Sequence, residues 1–596
     1  MTDITNIYEK RVAQFAATAA ELKEKYNRFS IIRLVVFFVA IFIGVFIFSK
    51  TNIVFVAIYF FLFLFGFSKF VFWHRAILER ANHHQFLSDI NAEEVDALAH
   101  EYQAFGGGAD FIDPMHPNTV DMDIFGEYSI FQYCNRTSTA IGQQRLAHYL
   151  STPAETKEIL ARQAAIKELY PKLDWRQDFQ ATGRVTEDNA DHLSLLTSWL
   201  SDEPFVSNNK WLKIALILVP IWMLIGMSLA IYYLSWQIAL LFVILPGIIL
   251  SKTTERVNET HNRTTHAEKT LSFYAKLIQR IEDKSFEAPK LNELKANFLA
   301  NNQKASTQIQ RLSYIIGQLN VRYNAFAVLF NLGGLWDLQY VNKLEKWKAI
   351  NKEELPKWFA ALQEFEALNS LATLYYNNQD WIFPTITEQQ ELNGIQLGHP
   401  LIHHSKRIAN DFHSPTQAHI KLVTGSNMAG KSTFLRTVGL NIILAMSGSA
   451  VCAKELSLPL LQVYTSMRTQ DALHESTSSF YAELKRLKVI IEAVESEHNI
   501  YFLLDEILKG TNSKDRHTGS RALIEQMIKS KGAGIIATHD LELGNMEATA
   551  NGAIENLCME VAVEDGKLRF DYTLEKGVSK SFNATILMKE MGINIQ

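Results

Sequence analysis

Gly425-Ser-Asn-Met-Ala-Gly-Lys-Ser432 sets two glycines, a lysine and a hydroxyl at the spacing G-x-x-x-x-G-K-[ST], which suits a loop that encloses a chain of phosphates. In such a loop the backbone N–H groups of Gly425, Ser426, Asn427, Met428, Ala429 and Gly430 close around phosphate oxygens, and Thr433 continues the cradle into a helix N-terminus. Lys431 can reach the β and γ oxygens, and the Ser432 hydroxyl can ligate Mg²⁺. The pattern requires a strand before it and a helix after it; His419 to Thr424 and Lys431 to Ala445 supply both by residue type and periodicity. A chance glycine-rich turn is the plain alternative, and these flanks count against it. Some seventy residues on, Tyr501-Phe-Leu-Leu-Asp505-Glu506 reads as an apolar strand ending in two acids. Asp505 suits the metal beside Ser432, and Glu506 suits a group that orients or deprotonates an attacking water. Adjacent acids there imply hydrolysis of the bound phosphate chain rather than binding alone. His539, after the β-prone stretch Ala533 to Ile536, is placed to sense the γ-phosphate.

The elements that must position these groups are legible around them. After Pro384, β-prone stretches (His419 to Thr424, Tyr501 to Leu504, Gly534 to Thr538) alternate with helical ones (Lys431 to Ala445, Phe480 to Val494, Gly519 to Lys529). This texture predicts an α/β nucleotide-binding domain over 391–596. Upstream, Leu, Ile, Phe and Ala recur at helical spacing, as in Thr307 to Leu319 and Leu355 to Tyr376, and predict a mainly helical region over 122–211 and 252–390.

Two further stretches are too apolar for an ordinary soluble domain. Leu34 to Ser49 and Thr51 to Ser68 are uncharged runs separated by Lys50, and Ile214 to Leu250 is uncharged throughout, enough for two crossings of roughly 20 residues each. They predict transmembrane hairpins over 31–73 and 212–251, the second turning near Tyr232 to Gln237. Pro246 and the shortness of 236–251 leave a tilted or re-entrant second half open. Neither a cleaved signal peptide nor a soluble core accounts for runs of this length and position. Residues 1–30 read as an amphipathic helix, and 74–121 as a polar helix and linker broken at Gly106-Gly107-Gly108. Lys23, Lys25, Arg28 and Arg33, then Lys69, Arg75 and Arg80, then Lys210, Lys213, Lys252 and Arg256 flank the runs on one side. That bias predicts a multi-pass protein of the cell membrane with its helical and nucleotide-binding parts on the cytoplasmic side.

The 596 residues leave room for three or four packed parts, and the net charge of -5 shows no basic excess that would by itself demand nucleic acid. Cys134, Cys452 and Cys558 lack metal or disulfide spacing and read as free thiols. The pairs His83-His84 and His403-His404 point their rings apart and suit turns better than a metal site. Phe412 and His413 could stack on an adenine, though core packing explains them equally.

The residues around the site resemble the ATPase domain of MutS mismatch-repair proteins, a branch of the ABC-type ATPases. Thr424-Gly-Ser-Asn-Met-Ala-Gly-Lys-Ser-Thr433 matches the family's T-G-P-N-M-G-G-K-S-T with Ser426 and Ala429 as departures, and Asp505-Glu-Ile-Leu-Lys-Gly-Thr-Asn-Ser513 matches D-E-I-G-R-G-T-S-T. Ser478-Ser479-Phe480-Tyr-Ala-Glu483 is similar to S-T-F-x-x-E, although Ser476-Thr477 replace the usual Gly-Arg; Ala537-Thr538-His539 is intact; and Leu574 to Phe582 resembles L-x-x-G-V-x-x-S-Y/F. Upstream, Asn135 to Gly142, Tyr149 to Pro153, Ala161 to Ile166, Ala367 to Tyr376, Phe383-Pro384 and Gly398-His-Pro-Leu401 resemble the family's helical core and lever. The resemblance implies a multidomain protein: membrane hairpins joined to a MutS-like α-helical core/lever and a C-terminal α/β P-loop ATPase. It also implies a homodimer in which Ser478 of one subunit meets the γ-phosphate held by the other, and lever helices that ATP moves on mismatched, branched or damaged DNA. The space before the core holds a hairpin in place of the family's Phe-x-Glu reader, so direct mismatch reading is not expected. The run 214–250 falls where a DNA-gripping clamp would sit, and the chain stops at Gln596 without the family's C-terminal dimerisation helices, which assigns dimerisation to the nucleotide sites or the membrane. Two alternatives share the same residues: ABC-type transport, against which no L-S-G-G-Q run is found, and a nucleotide-gated scaffold for protein partners.

Overall fold

The computed structural model describes residues 2–50, 53–184, 190–300, 302–324, 327–426, 428–468, 479–496, 499–564 and 567–579. The chain is mostly helical, with its larger sheets gathered in the C-terminal third.

Helix α1 (Thr2–Lys50) and helix α2 (Ile53–Leu98) lie side by side as one long hairpin. The polar and apolar segments expected as separate pieces are therefore continuous, because neither Gly nor Pro punctuates 28–34 or 68–76 and nothing stops the backbone ladder at the change of polarity. In the apolar half, aromatic packing joins the two helices, as between Phe37 and Phe67 (centroids 5.9 Å apart), and the Tyr59 hydroxyl donates to Ala40 O at 2.9 Å. The outward faces carry exposed Phe42, Phe46, Phe61 and Phe65. In the polar half, Tyr26 stacks on His74 at 4.1 Å.

Short helices α3 (Ala140–Ser151), α4 (Thr156–Leu169) and α5 (Leu173–Gly183) follow, and Thr139 caps α3 by accepting the Gly142 N–H at 3.0 Å. A second hairpin is built from α6 (Lys210–Tyr232) and α7 (Trp236–Thr264); Asn209 caps α6 through the N–H groups of Trp211 and Leu212. Its turn falls inside the expected 232–237, but α7 runs well past 251 and carries Pro246 within it. All four hairpin helices are long and apolar enough to cross a membrane, and none of the residues in the most apolar stretch of α2 is buried. Next come α8 (Ala267–Glu282), α9 (Ala305–Asn320), the short apolar α10 (Ala327–Gly334), α11 (Trp336–Asn351) and α12 (Glu354–Asn377). Helix α12 is buried along most of its length and packs against α3 and α4.

The C-terminal part begins with β1 (Glu391–Leu397) and β2 (Asn410–Pro415), an antiparallel pair. Strand β3 (His419–Gly425) leads into α13 (Lys431–Ser447), β4 (Glu455–Leu458) joins β1, and β5 (Gln462–Ser466) precedes α14 (Ser479–Ser496). Then come β6 (Ile500–Asp505), α15 (Ser513–Lys529), β7 (Ala533–Thr538), β8 (Ile554–Met559) and the short β9 (Glu575–Lys576). Among the described residues the main sheet has the order β9-β8-β3-β7-β6-β5, parallel except for β9. Strands β3, β6 and β7 are buried throughout, as expected of a parallel sheet covered on both faces. Alternate residues divide between the faces: Val423, Leu503 and Ile535 join the core shared with the helical region, whereas Leu422, Leu504 and Ile536 pack under α14 and α15. The nucleotide-binding and helical parts thus share one apolar core.

Candidate nucleotide site

The three central strands end side by side. Register pairs Thr538 with Thr424 and Ala537 with Asp505, which brings the loop after β3, the acids after β6 and the histidine after β7 to one edge. In open α/β sheets this carboxyl edge is where ligands bind.

The glycines of the loop are required by space as well as by torsion. Gly425 (φ 151°) and Gly430 (φ 96°) occupy backbone regions that favour glycine, and an added Cβ would lie 2.7 Å from Met559 O or 2.8 Å from the Tyr572 ring. Ala429 is buried and Met428 exposed; Asn427 lies outside the described residues. Lys431 opens α13, and its ammonium donates to Gly425 O at 2.9 Å and Ser426 O at 2.8 Å. Burial lowers its pKa, against the pull of Glu506 and Asp505. Ser432 donates its hydroxyl to Asp505 Oδ2, while Asp505 Oδ1 is buried without a hydrogen-bond partner among the described residues. Thr433 is exposed one position further along the helix.

Glu506 leaves the strand in a left-handed conformation (φ 53°) and contacts His539. That hydrogen bond holds the Glu506 carboxyl at about 2, against the effect of burial, and Lys509 adds its charge at 3.4 Å. His539 Nδ1 donates to Gly425 O at 3.0 Å, so the ring links the phosphate loop to the acid. The structure therefore gathers Lys431, Ser432, Asp505, Glu506 and His539 at one point. Ser478 lies outside the described residues. The adenine role considered for Phe412 is not borne out, because its ring is buried against Phe434 at 5.4 Å as part of the core.

Two contributions were not read from sequence. Glu483 on α14 accepts the backbone N–H groups of Leu508 and Lys509, and so fixes the loop that follows Glu506. Burial raises its pKa despite those donors. Its place in the motif was visible, but not its partner. The second is the segment 116–123, which joins the first hairpin to the core and lies as a strap against β5. Thr465 N donates to Pro117 O at 2.9 Å, and Asn118 Nδ2 donates to Val463 O at 2.8 Å. Asp121 accepts from Thr465 Oγ1 (2.8 Å), Met467 N and Arg468 N (both 3.1 Å), and Arg486 on α14 donates to His116 O at 2.8 Å. Between strap and α14 opens a cleft of about 330 Å³ whose floor includes Asp505 and Glu506. No local pattern in the sequence announces these contacts, which join residues some 345 positions apart.

Residues 421–591 match the family model described as MutS domain V, so the matched segment contains the phosphate loop, both acids and His539. By this match the C-terminal part of the chain carries a MutS domain V. Among curated MutS proteins, the DNA mismatch repair protein MutS of Aquifex pyrophilus is 32% identical over 221 residues, covering 36% of this chain and 25% of its own. The DNA mismatch repair protein MutS of Listeria monocytogenes serotype 4a is 31% identical over 231 residues (38% and 26%). The DNA mismatch repair protein MutS 2 of Haloarcula marismortui is 39% identical over 163 residues (27% and 17%). The chain thus spans about a quarter or less of the length of these MutS relatives.

Proposed function

We propose that this chain is a membrane-anchored MutS-type ATPase that uses ATP to switch a dimeric helical clamp acting on DNA at the cytoplasmic face. The observation that carries the ATPase reading is the convergence of Lys431, Ser432, Asp505, Glu506 and His539 at the carboxyl edge of one parallel sheet. The residues fit a magnesium nucleotide. Glycines leave room where a Cβ would collide, Lys431 is held over the loop by weak carbonyl acceptors that phosphate oxygens can replace, and Asp505 Oδ1 is a buried acceptor in want of a cation. Ser432 and Asp505 would hold Mg²⁺, which neutralises phosphate charge when bound. Glu506, kept ionised by His539, is the group to orient and deprotonate water. Ser478 from the second subunit completes the site.

The switch reading draws on the shared core and the strap. Motion of α14 or β5 on nucleotide binding would be transmitted to 116–123 and hence to the first hairpin. Anchoring draws on the four apolar helices and on the Lys/Arg bias that puts both hairpin bases on one side. The DNA reading draws on kinship with proteins named for DNA mismatch repair. The test uses the detergent-solubilised full chain and its Glu506→Gln variant, with binding to duplex, mismatched, branched and single-stranded DNA measured across a salt series, with and without ATP. Binding with a salt slope and a nucleotide dependence supports a DNA-acting switch, and the ranking of structures names the substrate. ATP hydrolysis with no DNA binding near physiological salt overturns the DNA assignment and turns the search to protein partners.

A further inference from the structure

Residues 323–336 carry no charge, lie between Arg322 and Asp337, and at fourteen residues are too short to cross a bilayer. Their length suits a buried core helix or a re-entrant segment, and the structure argues against the first. Helix α10 presents Val328 and Phe330 to the outside, and an added Cβ on Gly334 would meet nothing within 4 Å. Its other side meets the second hairpin: Leu329, Leu332 and Gly333 share an apolar cavity of about 350 Å³ with Met223 and Leu224 of α6 and Phe242 of α7.

The level of that contact is what matters. Met223 lies ten residues beyond Lys213, and Phe242 ten residues before Lys252. At a rise of 1.5 Å per residue both stand about 15 Å above the flanking lysines, half the roughly 30 Å hydrocarbon thickness. The two helices are matched at this level, since Trp222 Nε1 donates to Phe242 O at 3.0 Å. The chain's return is fixed by polar groups nearer the base. Leu335 reverses the backbone (φ 52°), its N–H donates to Asn331 O at 2.8 Å, and Asn331 Oδ1 accepts the Asp337 N–H at 2.9 Å. Arg322 pairs with Asp337 at 3.4 Å, and Gln339 Nε2 donates to Leu216 O, three residues above Lys213, at 2.7 Å. A charge pair at the foot and an uncharged tip is the arrangement that avoids placing charge in hydrocarbon.

We infer that residues 327–336 form a re-entrant element that enters the bilayer beside the second hairpin and meets lipid acyl chains through Val328 and Phe330. The inference rests on the reading that the hairpin α6–α7 spans the membrane. It makes the tip of the α9 and α11 helices a lipid-embedded element, so the helical core grips the membrane at a second place besides its hairpins. The surface continues the exposed apolar faces of α6, including Ile217 and Leu224.

The test uses the full chain in phosphatidylcholine vesicles. Cys134, Cys452 and Cys558 are buried, so single cysteines introduced as Phe330→Cys, Val328→Cys, Leu224→Cys or Tyr314→Cys can be labelled with an environment-sensitive fluorophore. Lipid bearing a mid-chain nitroxide is the quencher. The expected result is loss of fluorescence at 330 and 328 matching that at 224, with none at the exposed position 314 of α9. Quenching at 224 without quenching at 330 or 328 overturns the re-entrant element while the spanning hairpin stands. No quenching at 224 overturns the spanning reading, and this inference with it.

Discussion

Glu94 and Arg136 form an ion pair that can be used to measure how firmly the first hairpin is seated on the core. The side chains are 2% and 3% exposed, with Arg136 Nε to Glu94 Oε1 at 2.5 Å and Nη2 to Oε2 at 3.0 Å. Asn377 Nδ2 adds a third donor to Glu94 at 2.7 Å, and the guanidinium lies 3.5 Å from the Phe105 ring centroid. Glu94→Ala leaves the Arg136 charge buried and unpaired, a change that costs about 3–5 kcal/mol. At about 1.4 kcal/mol per factor of ten, α2 amides near position 94 that exchange by undocking should lose roughly 150- to 5,000-fold protection in hydrogen exchange. The double variant Glu94→Leu/Arg136→Met removes both charges and should recover protection to within about tenfold of the parent, because apolar replacement of a buried pair is near neutral. Protection that falls less than about fivefold in Glu94→Ala would show that the pair does not hold α2. A double variant as damaged as the sum of its singles would refute the uncompensated-charge argument.

Glu506→Gln should retain ATP binding and slow hydrolysis by about 10²- to 10⁴-fold, read in a phosphate-release assay; an unslowed variant assigns the water-activating role elsewhere. Lys431→Ala should weaken binding of a fluorescent ATP analogue by roughly ten- to 150-fold, the loss expected for charge-assisted hydrogen bonds of about 1.5–3 kcal/mol, and unchanged affinity would remove the loop from the site. Asp121→Ala should raise exchange of the Met467 and Arg468 amides by at least about tenfold, with no change if the strap does not hold β5. His399, whose Nδ1 accepts the Leu401 N–H at 3.2 Å, is lowered to about 4 by burial and by the charges of Arg436 and Arg407. Its folded pKa lies below the unfolded value near 6.5, so its contribution to stability is full above pH 6.5 and is lost as pH falls towards 4. The melting temperature of the solubilised protein should fall over that window, and less steeply in His399→Gln; identical slopes would count against the assignment.

The nucleotide site was the most legible part of the chain, because its chemistry is written in short contiguous patterns and the strands that carry it are apolar on both faces. His419–Gly425 even tolerates a buried lysine, Lys421, which reads as a break in the apolar run until its pairing with Glu555 on β8 is seen. What the sequence hid depends on distance. Nothing local shows that Asp121 serves the strand preceding α14, or that Glu483 reaches across to the loop after Glu506. The continuity of α1 and α2 was obscured by reading a change of polarity as a change of element, although helix propensity does not fall at such a boundary. Helix α10 was overlooked for a similar reason: fourteen uncharged residues are unremarkable alone and gain meaning only beside α6 and α7.

Tyr8 donates its hydroxyl to Asn377 Oδ1 across 369 residues of sequence, and Asn377 in turn reaches Glu94. In a growing chain this imposes an order of events. Helices α1 and α2 emerge from the ribosome first, while the end of α12, whose Asn377 bonds both Tyr8 and Glu94, is made hundreds of residues later. Synthesis at about 5–20 residues per second leaves roughly 14 to 57 seconds between Glu94 and Asn377. Arg136 arrives soon enough to neutralise Glu94, but the seat for Tyr8 does not exist until the core is almost complete. Tyr8 must therefore wait for its partner, so one of the first residues made is seated by one made hundreds of residues later.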